Sequence, residues 1–363
     1  MDVSMLAECR TGTEEYMEGL VWGLSRNGVT VAGAGRPQRA LLADQPCLGL
    51  PPRARPRPLS KLYWECWGVH RVPGEARVLH IPYLSHPPFR LRVPTLVTVH
   101  DLIPFRLPDY QRRWQERAYF GLLARRLPFA TAFVAISRAT YEDLQELWPR
   151  LAERTTIIPN GVHPAYFTPV DTARLEEVQR RWGLERHPRL LYVGGYDPRK
   201  NVITLIRAAA VLLERWQDGE LVLVGAEGDR SVLEAVGRAG IGDRTILTPP
   251  LPREDLVALY QAADLFAFPS TYEGFGLPPA QALAVGVPAV VGRTPAVLEV
   301  VGEAALAVDP LAVEAWVEAL DRLAASPALA SELAAKGRER AAAFDWRILA
   351  RRYRTLYEKV AQG

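Results

Sequence analysis

In the run FPSTYEGFGLPPAQALAVGVPAVV, residues 268–291, Glu273, Gly274, Phe275 and Gly276 lead directly into Leu277, Pro278 and Pro279. Proline suits the first helical turn, where a missing N–H costs nothing and φ is already near its helical value, so a helix is expected from about Pro278. Gly286 suits the left-handed residue that ends it. A helix start presents unpaired N–H groups and roughly half a positive charge, which favours a phosphate. Gly274 and Gly276 let the backbone approach a ligand where a side chain would obstruct. The charge on Glu273 repels phosphate, so its role is that of an acceptor for sugar hydroxyls. A surface turn carrying a solvated glutamate is the other reading of these residues.

A second run, VGGYDPRKN at residues 193–201, ends an apolar strand at Gly194 and Gly195 and sets Arg199 and Lys200 just before a helix opening near Asn201. Cations oppose the dipole of a helix start, and a bound anion would compensate both; a solvated basic loop is the alternative. His100 and Asp101 close the apolar run TLVTVHD, where a histidine can hydrogen-bond a substrate hydroxyl or carry a proton. A histidine satisfied in the core or a loop fits as well. Gly12 and Thr13 are expected in a turn before a first helix, open to close approach by a ligand. Neither G-x-G-x-x-G nor G-x-x-x-x-G-K-[ST] occurs, so nicotinamide chemistry and ATP hydrolysis have no motif behind them. Cys9, Cys47 and Cys66 are an odd set without C-x-x-C spacing, which predicts neither disulfides nor zinc and fits a reducing cytosol. No cofactor and no metal is expected.

These residues need a scaffold that delivers strand ends to helix starts. In the second half, RLLYVGG, LVLVGAE, TILTPP, DLFAFPS and PAVVGR alternate with helix-length amphipathic segments. Continuous apolar strands between helices predict a parallel sheet covered on both faces, a doubly wound α/β domain. In the first half, RVLHIPY, TLVTVHD, TAFVAIS and TTIIPN are strands, YQRRWQERAYFGLLARRL is a long helix, and Ser137 caps the helix RATYEDLQELW. The 363 residues exceed the usual limit of a single core, so two domains are expected. The boundary is placed at 168/169, near PNGVHPAYFTPV, and the helix FDWRILARRYRTLYEKV from about Asp345 is expected to pack back on the first domain. Residues 51–58, PPRARPRP, should resist regular structure.

Net charge is +3, divided as 21 Lys/Arg against 15 Asp/Glu in residues 1–165 and 23 against 26 thereafter. The first half is the basic one. Residues 51–126 hold 14 Lys/Arg against 5 Asp/Glu, including Arg53, Arg55, Arg57, Arg112, Arg113, Arg117, Arg125 and Arg126. With Trp114, Tyr119 and Phe120 interleaved, the helix could rest on an anionic bilayer; a solvated helix packing its aromatic face inward is the alternative. Acidic residues precede any signal-like apolar run, and no stretch of about 18 uncharged apolar residues occurs. A cytoplasmic protein is expected, peripheral to the membrane at most. Nucleic-acid binding has no motif.

With these residues in place, the chain resembles the retaining glycosyltransferases of family 4, of the GT-B fold. Residues 268–291 followed by EVVGEAALAVDP carry most of the likeness, and LYVGGYDPRKN, VTVHDLIPF, VAISRAT, IIPNGV and the terminal FDWRILARRYRTLY follow the family's order. The resemblance implies an α/β fold of two Rossmann-like doubly wound domains facing across a cleft, with the acceptor on the first and a nucleotide-sugar donor on the second. It implies His100, Lys200 and Glu273 as catalytic residues. The implied donor-binding set is Gly12, Asp101, Ser137, Gly194, Gly195, Arg199, Lys200, Glu273, Gly274, Phe275, Gly276, Leu277 and Gln281. In such enzymes the residue at Glu273 holds sugar hydroxyls, the amides of Phe275, Gly276 and Leu277 meet sugar and diphosphate, and Lys200 stabilises the departing charge. His100 is expected near the donor sugar.

Two positions depart from the family pattern. Gln281 stands where a second glutamate normally accepts from the ribose, which predicts weaker donor binding rather than lost chemistry. Gly195 stands where many members carry an arginine, a role left to Arg199 or to Lys200 alone. The expected reaction moves a hexosyl group from a nucleotide-diphosphate sugar, GDP-mannose first and UDP-glucose or UDP-N-acetylglucosamine next, to a glycan or lipid-linked acceptor. It is expected to retain the anomeric configuration and to need no metal, since no Asp-x-Asp tripeptide is present. A nucleotide-sugar epimerase of the same fold and a non-catalytic nucleotide-sugar-binding protein are the alternatives.

Overall fold

The computed structural model describes residues 12–31, 33–35, 47–49 and 75–362. Cys9, Cys66 and the basic proline-rich run 51–58 lie outside them. The chain divides into two compact units, Met1–Gly161 with Trp346–Gly363, and Val162–Asp345.

In the first unit, β1 (Gly33–Gly35) pairs in parallel with β2 (Cys47–Gly49). A separate sheet runs in the order β3 (Leu79–Ile81), β4 (Thr95–Val99), β5 (Ala132–Ala135) and β6 (Thr155–Ile157), all parallel. Successive residues of a strand point to opposite faces, and the packing follows that rule. Leu96 and Val134 join Tyr16, Leu20, Leu24, Trp346, Leu349 and Tyr353 in one core cluster. Val97, Val99 and Phe133 join Leu123, Leu127 and Leu144 in the other. Both faces are therefore covered, which is why β4 reads TLVTV with every residue buried.

The helix Trp346–Gln362 lies in this unit against the helix Gly12–Arg26. Three glycines let it approach: a Cβ on Gly19 or Gly161 would collide with the Trp346 ring, and one on Gly23 with Ala350 and the Trp346 carbonyl. Two expectations need correction. Gly12 and Thr13 are not in a turn before the first helix; Gly12 opens it and Thr13 lies in its first turn. The long helix from Tyr110 is shorter. A 3-10 turn Pro108–Gln111 comes first, and the helix runs Trp114–Arg126, begun by Glu116 accepting at 2.9 Å from the N–H of Arg113.

The second unit holds one parallel sheet of β7 (Arg189–Val193), β8 (Glu220–Val224), β9 (Thr245–Thr248), β10 (Leu265–Phe268), β11 (Ala289–Gly292) and β12 (Leu306–Val308). The order is β12-β11-β10-β7-β8-β9. The order therefore reverses between β7 and β10, which pair through Leu190–Leu265 and Leu191–Phe266. On open parallel sheets, ligands bind beyond the carboxyl ends of the strands at such a reversal. The loops that leave β7 and β10 are the two runs that carry Lys200 and Glu273.

Candidate active site

After β7 the chain turns at Gly194, where a Cβ would stand 2.7 Å from the hydroxyl of Tyr192. That hydroxyl donates to the carbonyl of Gly195 at 2.6 Å and fixes the turn. Asp197 caps a short 3-10 turn, Pro198–Lys200, by accepting from the N–H of Arg199 at 3.1 Å. Asn201 has φ 52°, a left-handed conformation that asparagine tolerates better than most residues. Its side-chain amide donates to the carbonyls of Pro269 (3.2 Å) and Pro310 (2.5 Å), so the β7 loop is stitched to the loop leaving β10. The N–H of Thr271 adds a bond to the carbonyl of Arg199 at 2.8 Å.

This stitching brings the charged groups together. The Oε1 of Glu273 accepts from Lys200 Nζ at 2.6 Å and from Ser270 Oγ at 2.6 Å, and Arg199 Nη1 stands 3.1 Å away. Arg199 Nη1 also donates to the carbonyl of Tyr272 at 3.0 Å. Burial pushes the Lys200 ammonium below its usual range, and the Glu273 charge works against that push. Its Nζ lies 5.1 Å from the centroid of the Phe268 ring. Among the described residues, Oε2 of Glu273 has no partner, so one oxygen anchors the cations and the other remains an acceptor.

Gly276 has φ 106°, open only to glycine at little cost, and begins the helix Leu277–Val285. A Cβ there would stand 3.1 Å from Val297 Cγ2. The N–H groups of Phe275, Gly276 and Leu277 have no acceptor among the described residues. Phe275 itself is buried against Phe344, ring centroids 5.5 Å apart. The arrangement thus offers three free amides, two cations and a carboxylate oxygen on adjoining loops. A sugar linked to a diphosphate has matching needs: donors for phosphate oxygens and an acceptor for hydroxyls.

Gln281 is buried on the same helix, and its Oε1 faces the Tyr260 hydroxyl at 3.3 Å. Its oxygen is thus already engaged. Gly195 is exposed with open space around its Cα, so nothing in the fold requires glycine there.

In the first unit, the Nε2–H of His100 donates to the carbonyl of Pro82 at 2.9 Å, which leaves Nδ1 as an acceptor. Burial lowers its pKa to about 4, only partly offset by that bond. It is therefore neutral near pH 7. Asp101 accepts from the N–H of Ile103 at 3.1 Å. Ser137 is fully buried and caps the helix Arg138–Leu147, accepting from the N–H of Thr140 at 2.9 Å. Gly12 sits at the start of its helix with open space at its Cα. Ser270 and Asn201, which position the charged group, were not identified as site residues. A serine directly after an apolar strand and an asparagine between a basic pair and a helix were the available signals.

The histidines predict acid sensitivity. Burial is the first cause of depression for His80, His86 and His100 alike. The unfolded chain then binds more protons than the folded one below about pH 6.5, so stability falls with pH from there, for His100 down to about 4. At about 1.4 kcal/mol per pH unit of separation, His100 alone contributes on the order of 3 kcal/mol. Urea midpoints measured between pH 7 and 4 should fall steadily, and a flat profile would contradict these environments.

Residues 176–340 match the family model of Glycosyl transferases group 1, and residues 10–166 match that of Glycosyltransferase Family 4. The O-antigen chain mannosyltransferase B of Escherichia coli is 32% identical over 223 residues, 61% of this chain and 58% of that protein. The chain spans somewhat more than half the length of the curated relatives it matches. Among solved structures, a sucrose-phosphate synthase from Thermosynechococcus elongatus superposes with a TM-score of 0.77 at 24% identity, covering 96% of this chain and 94% of that one. The Anabaena protein HepE, in complex with UDP-glucose, gives 0.73 at 18% identity, with 98% of each chain covered. With the two family models matched in order and two parallel-sheet α/β units of this topology, the chain belongs to glycosyltransferase family 4 and has the GT-B fold.

Proposed function

We propose that the protein is a retaining glycosyltransferase that moves a hexosyl group from a nucleotide-diphosphate sugar to a hydroxyl of a glycan or lipid-linked acceptor. The observation that carries this reading is the meeting of Lys200, Arg199 and Glu273 beside the unpartnered amides of Phe275 to Leu277. The second unit binds the donor, and the first supplies His100 and the acceptor surface. When the diphosphate docks, Lys200 turns one of its three N–H donors, or its place on Glu273, toward a phosphate oxygen. Glu273 then holds a sugar hydroxyl through its free oxygen. As the glycosidic bond to the donor breaks, negative charge grows on the diphosphate, and Lys200 with the helix start stabilises it without a metal. The acceptor hydroxyl attacks from the face that the diphosphate leaves, which preserves the configuration.

GDP-mannose is the favoured donor, from the likeness of GGYDPRKN and HDLIPF to mannosyltransferase members and from the mannosyltransferase relative. The neighbour that binds UDP-glucose favours a UDP-sugar as the second reading. A thermal-shift screen of nucleotide sugars, followed by transfer assays with and without EDTA and NMR of the product's anomeric proton, tests donor, metal and stereochemistry in turn. Loss of turnover in chelator restored only by divalent ions, or an inverted product, would overturn those parts. Free epimerised donor in the absence of acceptor would point to an epimerase, and tight binding without transfer or hydrolysis to a binding protein.

Restoring the family glutamate should strengthen donor binding. Hydrogen bonds to charged groups are worth about 1.5–3 kcal/mol against about 1 for neutral ones. Gln281→Glu is therefore expected to lower the donor KM about threefold to tenfold, with kcat little changed. A raised KM would show that the buried charge costs more than the ribose contact returns.

The helix Trp114–Arg126 is also proposed to rest on an anionic membrane. Trp114 is 73% exposed, and Tyr119, Leu122 and Phe129 are exposed beside Arg112, Arg113, Arg117 and Arg125. Arg126 is excluded from that surface because it is buried, and Phe120 turns inward against Phe105 at 5.4 Å between centroids. No helix among the described residues is long and apolar enough to cross a membrane. Sedimentation with vesicles containing anionic lipid, reduced in Trp114→Ser/Leu122→Ser, is the expected outcome. Equal sedimentation with purely zwitterionic vesicles would contradict the charge contribution.

A further inference from the structure

Tyr16 is almost wholly buried in the first helix, and its ring meets His100 edge to face, with centroids 4.8 Å apart and planes at 87°. Its hydroxyl is held on two sides, by Tyr353 at 2.9 Å and Thr98 Oγ1 at 2.8 Å. Thr98 Oγ1 also bonds His80 Nε2 at 2.7 Å, and His80 Nδ1 bonds the Tyr357 hydroxyl at 2.7 Å. With His80 neutral, one proton direction satisfies the whole chain. Tyr357 donates to Nδ1, Nε2–H donates to Thr98, Thr98 donates to Tyr16, and Tyr16 donates to Tyr353.

The placement of this chain gives it a use beyond packing. Thr98 lies on β4, two residues before His100. His80 lies on β3, two residues before Pro82, whose carbonyl accepts from His100. Tyr353 and Tyr357 come from the helix Trp346–Gln362. The hydroxyl chain therefore grips both strands that hold His100, while the Tyr16 ring limits the tilt of the imidazole. Apolar residues of the same shape would bury similar area; buried polar networks add a fixed orientation, at the cost of needing every partner.

We propose that Tyr16 is a positioning residue for His100, and that Tyr353 and Tyr357 make the C-terminal helix part of that support. The inference rests on the reading of His100 as a catalytic residue. The titratable groups facing the imidazole are Tyr16 and His80, with Asp101 next in the chain; Tyr353 and Tyr357 stand behind them, in contact with Tyr16 and His80. His100 is partly exposed, and removing the Tyr16 ring admits more water to it and frees its rotation. Removing only a hydroxyl loosens the grip while keeping the ring.

The test uses the full chain as wild type, Tyr16→Leu, Tyr16→Phe and Tyr353→Phe, with Tm, kcat, KM and an NMR titration of the His100 imidazole. Tyr16→Leu should move that titration upward by a pH unit or more, toward 6.5, and lower kcat tenfold or more with donor KM within twofold. Tyr16→Phe should recover most of both losses, and Tyr353→Phe should cost a few-fold in kcat. A folded Tyr16→Leu whose titration or kcat equals wild type overturns the proposal. Should that variant not fold, an unmoved titration and kcat in folded Tyr353→Phe overturn it instead. If the titration moves as expected but wild type transfers no sugar from any nucleotide sugar, the transferase reading fails and the placement of His100 by Tyr16 stands.

Discussion

Lys200→Met should lower kcat for sugar transfer by about a hundredfold to a thousandfold, the usual cost of losing one preorganised donor to developing charge. Lys200 is suited to this role by its surroundings. Burial disfavours its charge, the neighbouring Glu273 and, more weakly, Asp197 work against that, and its Nζ is held 2.6 Å from the Glu273 carboxylate. Methionine keeps the hydrocarbon stem against Phe268 and removes the charge. Glu273 would still be paired with Arg199 at 3.1 Å and Ser270 at 2.6 Å, so no buried charge is orphaned and Tm should change little. Steady-state kinetics and a melting curve decide the matter together. A fall in kcat/KM that only mirrors a fall in folded fraction would remove Lys200 from the mechanism.

Glu273→Gln is expected to be as severe for turnover and more severe for stability. The carboxylate is the shared partner of Lys200 and Arg199 in a site where its side chain is about 10% exposed. Removing one member of a buried ion pair costs about 3–5 kcal/mol, because the remaining charges are left uncompensated. The cations around Oε1 make the carboxylate a structural group as well as a ligand for sugar, so the melting temperature should fall with the activity. Saturating nucleotide sugar should return part of the lost stability, since its diphosphate supplies the missing negative charge. Ligand-dependent melting curves of the two proteins test this directly. If Glu273→Gln transfers sugar at the wild-type rate, the assignment of the donor site is wrong.

Much of the loop leaving β10 was legible in residues that interact with their near neighbours. Gly286 takes the left-handed φ expected of the residue that ends the helix Leu277–Val285, and Gly276 takes one at its start. Ser137 caps its helix through a bond spanning three residues. Every strand expected in the second half is present; β7, β8, β10 and β11 are buried along their whole length and therefore mostly apolar, whereas β9 is only partly buried and reads TILT. The short strands Gly33–Gly35 and Cys47–Gly49 were not foreseen. Glycine, alanine and cysteine carry little strand preference, and the pairing that makes them strands is set by their partners. The helix from Tyr110 was overextended for the opposite reason, since a helical pattern continued past a proline-led 3-10 turn.

The sequence alone determined where the chain turns, which runs are buried and which residues can meet an anion, because those properties act over a few residues. Only the tertiary structure decided which of them share a site. Lys200 and Glu273 are 73 positions apart, and they meet because β7 and β10 lie side by side where the strand order reverses. Tyr16 and Tyr353 are 337 positions apart, and they meet because the last helix returns to the first unit. Contacts of that range depend on the closure of the whole sheet and its covering helices, and no local pattern encodes them.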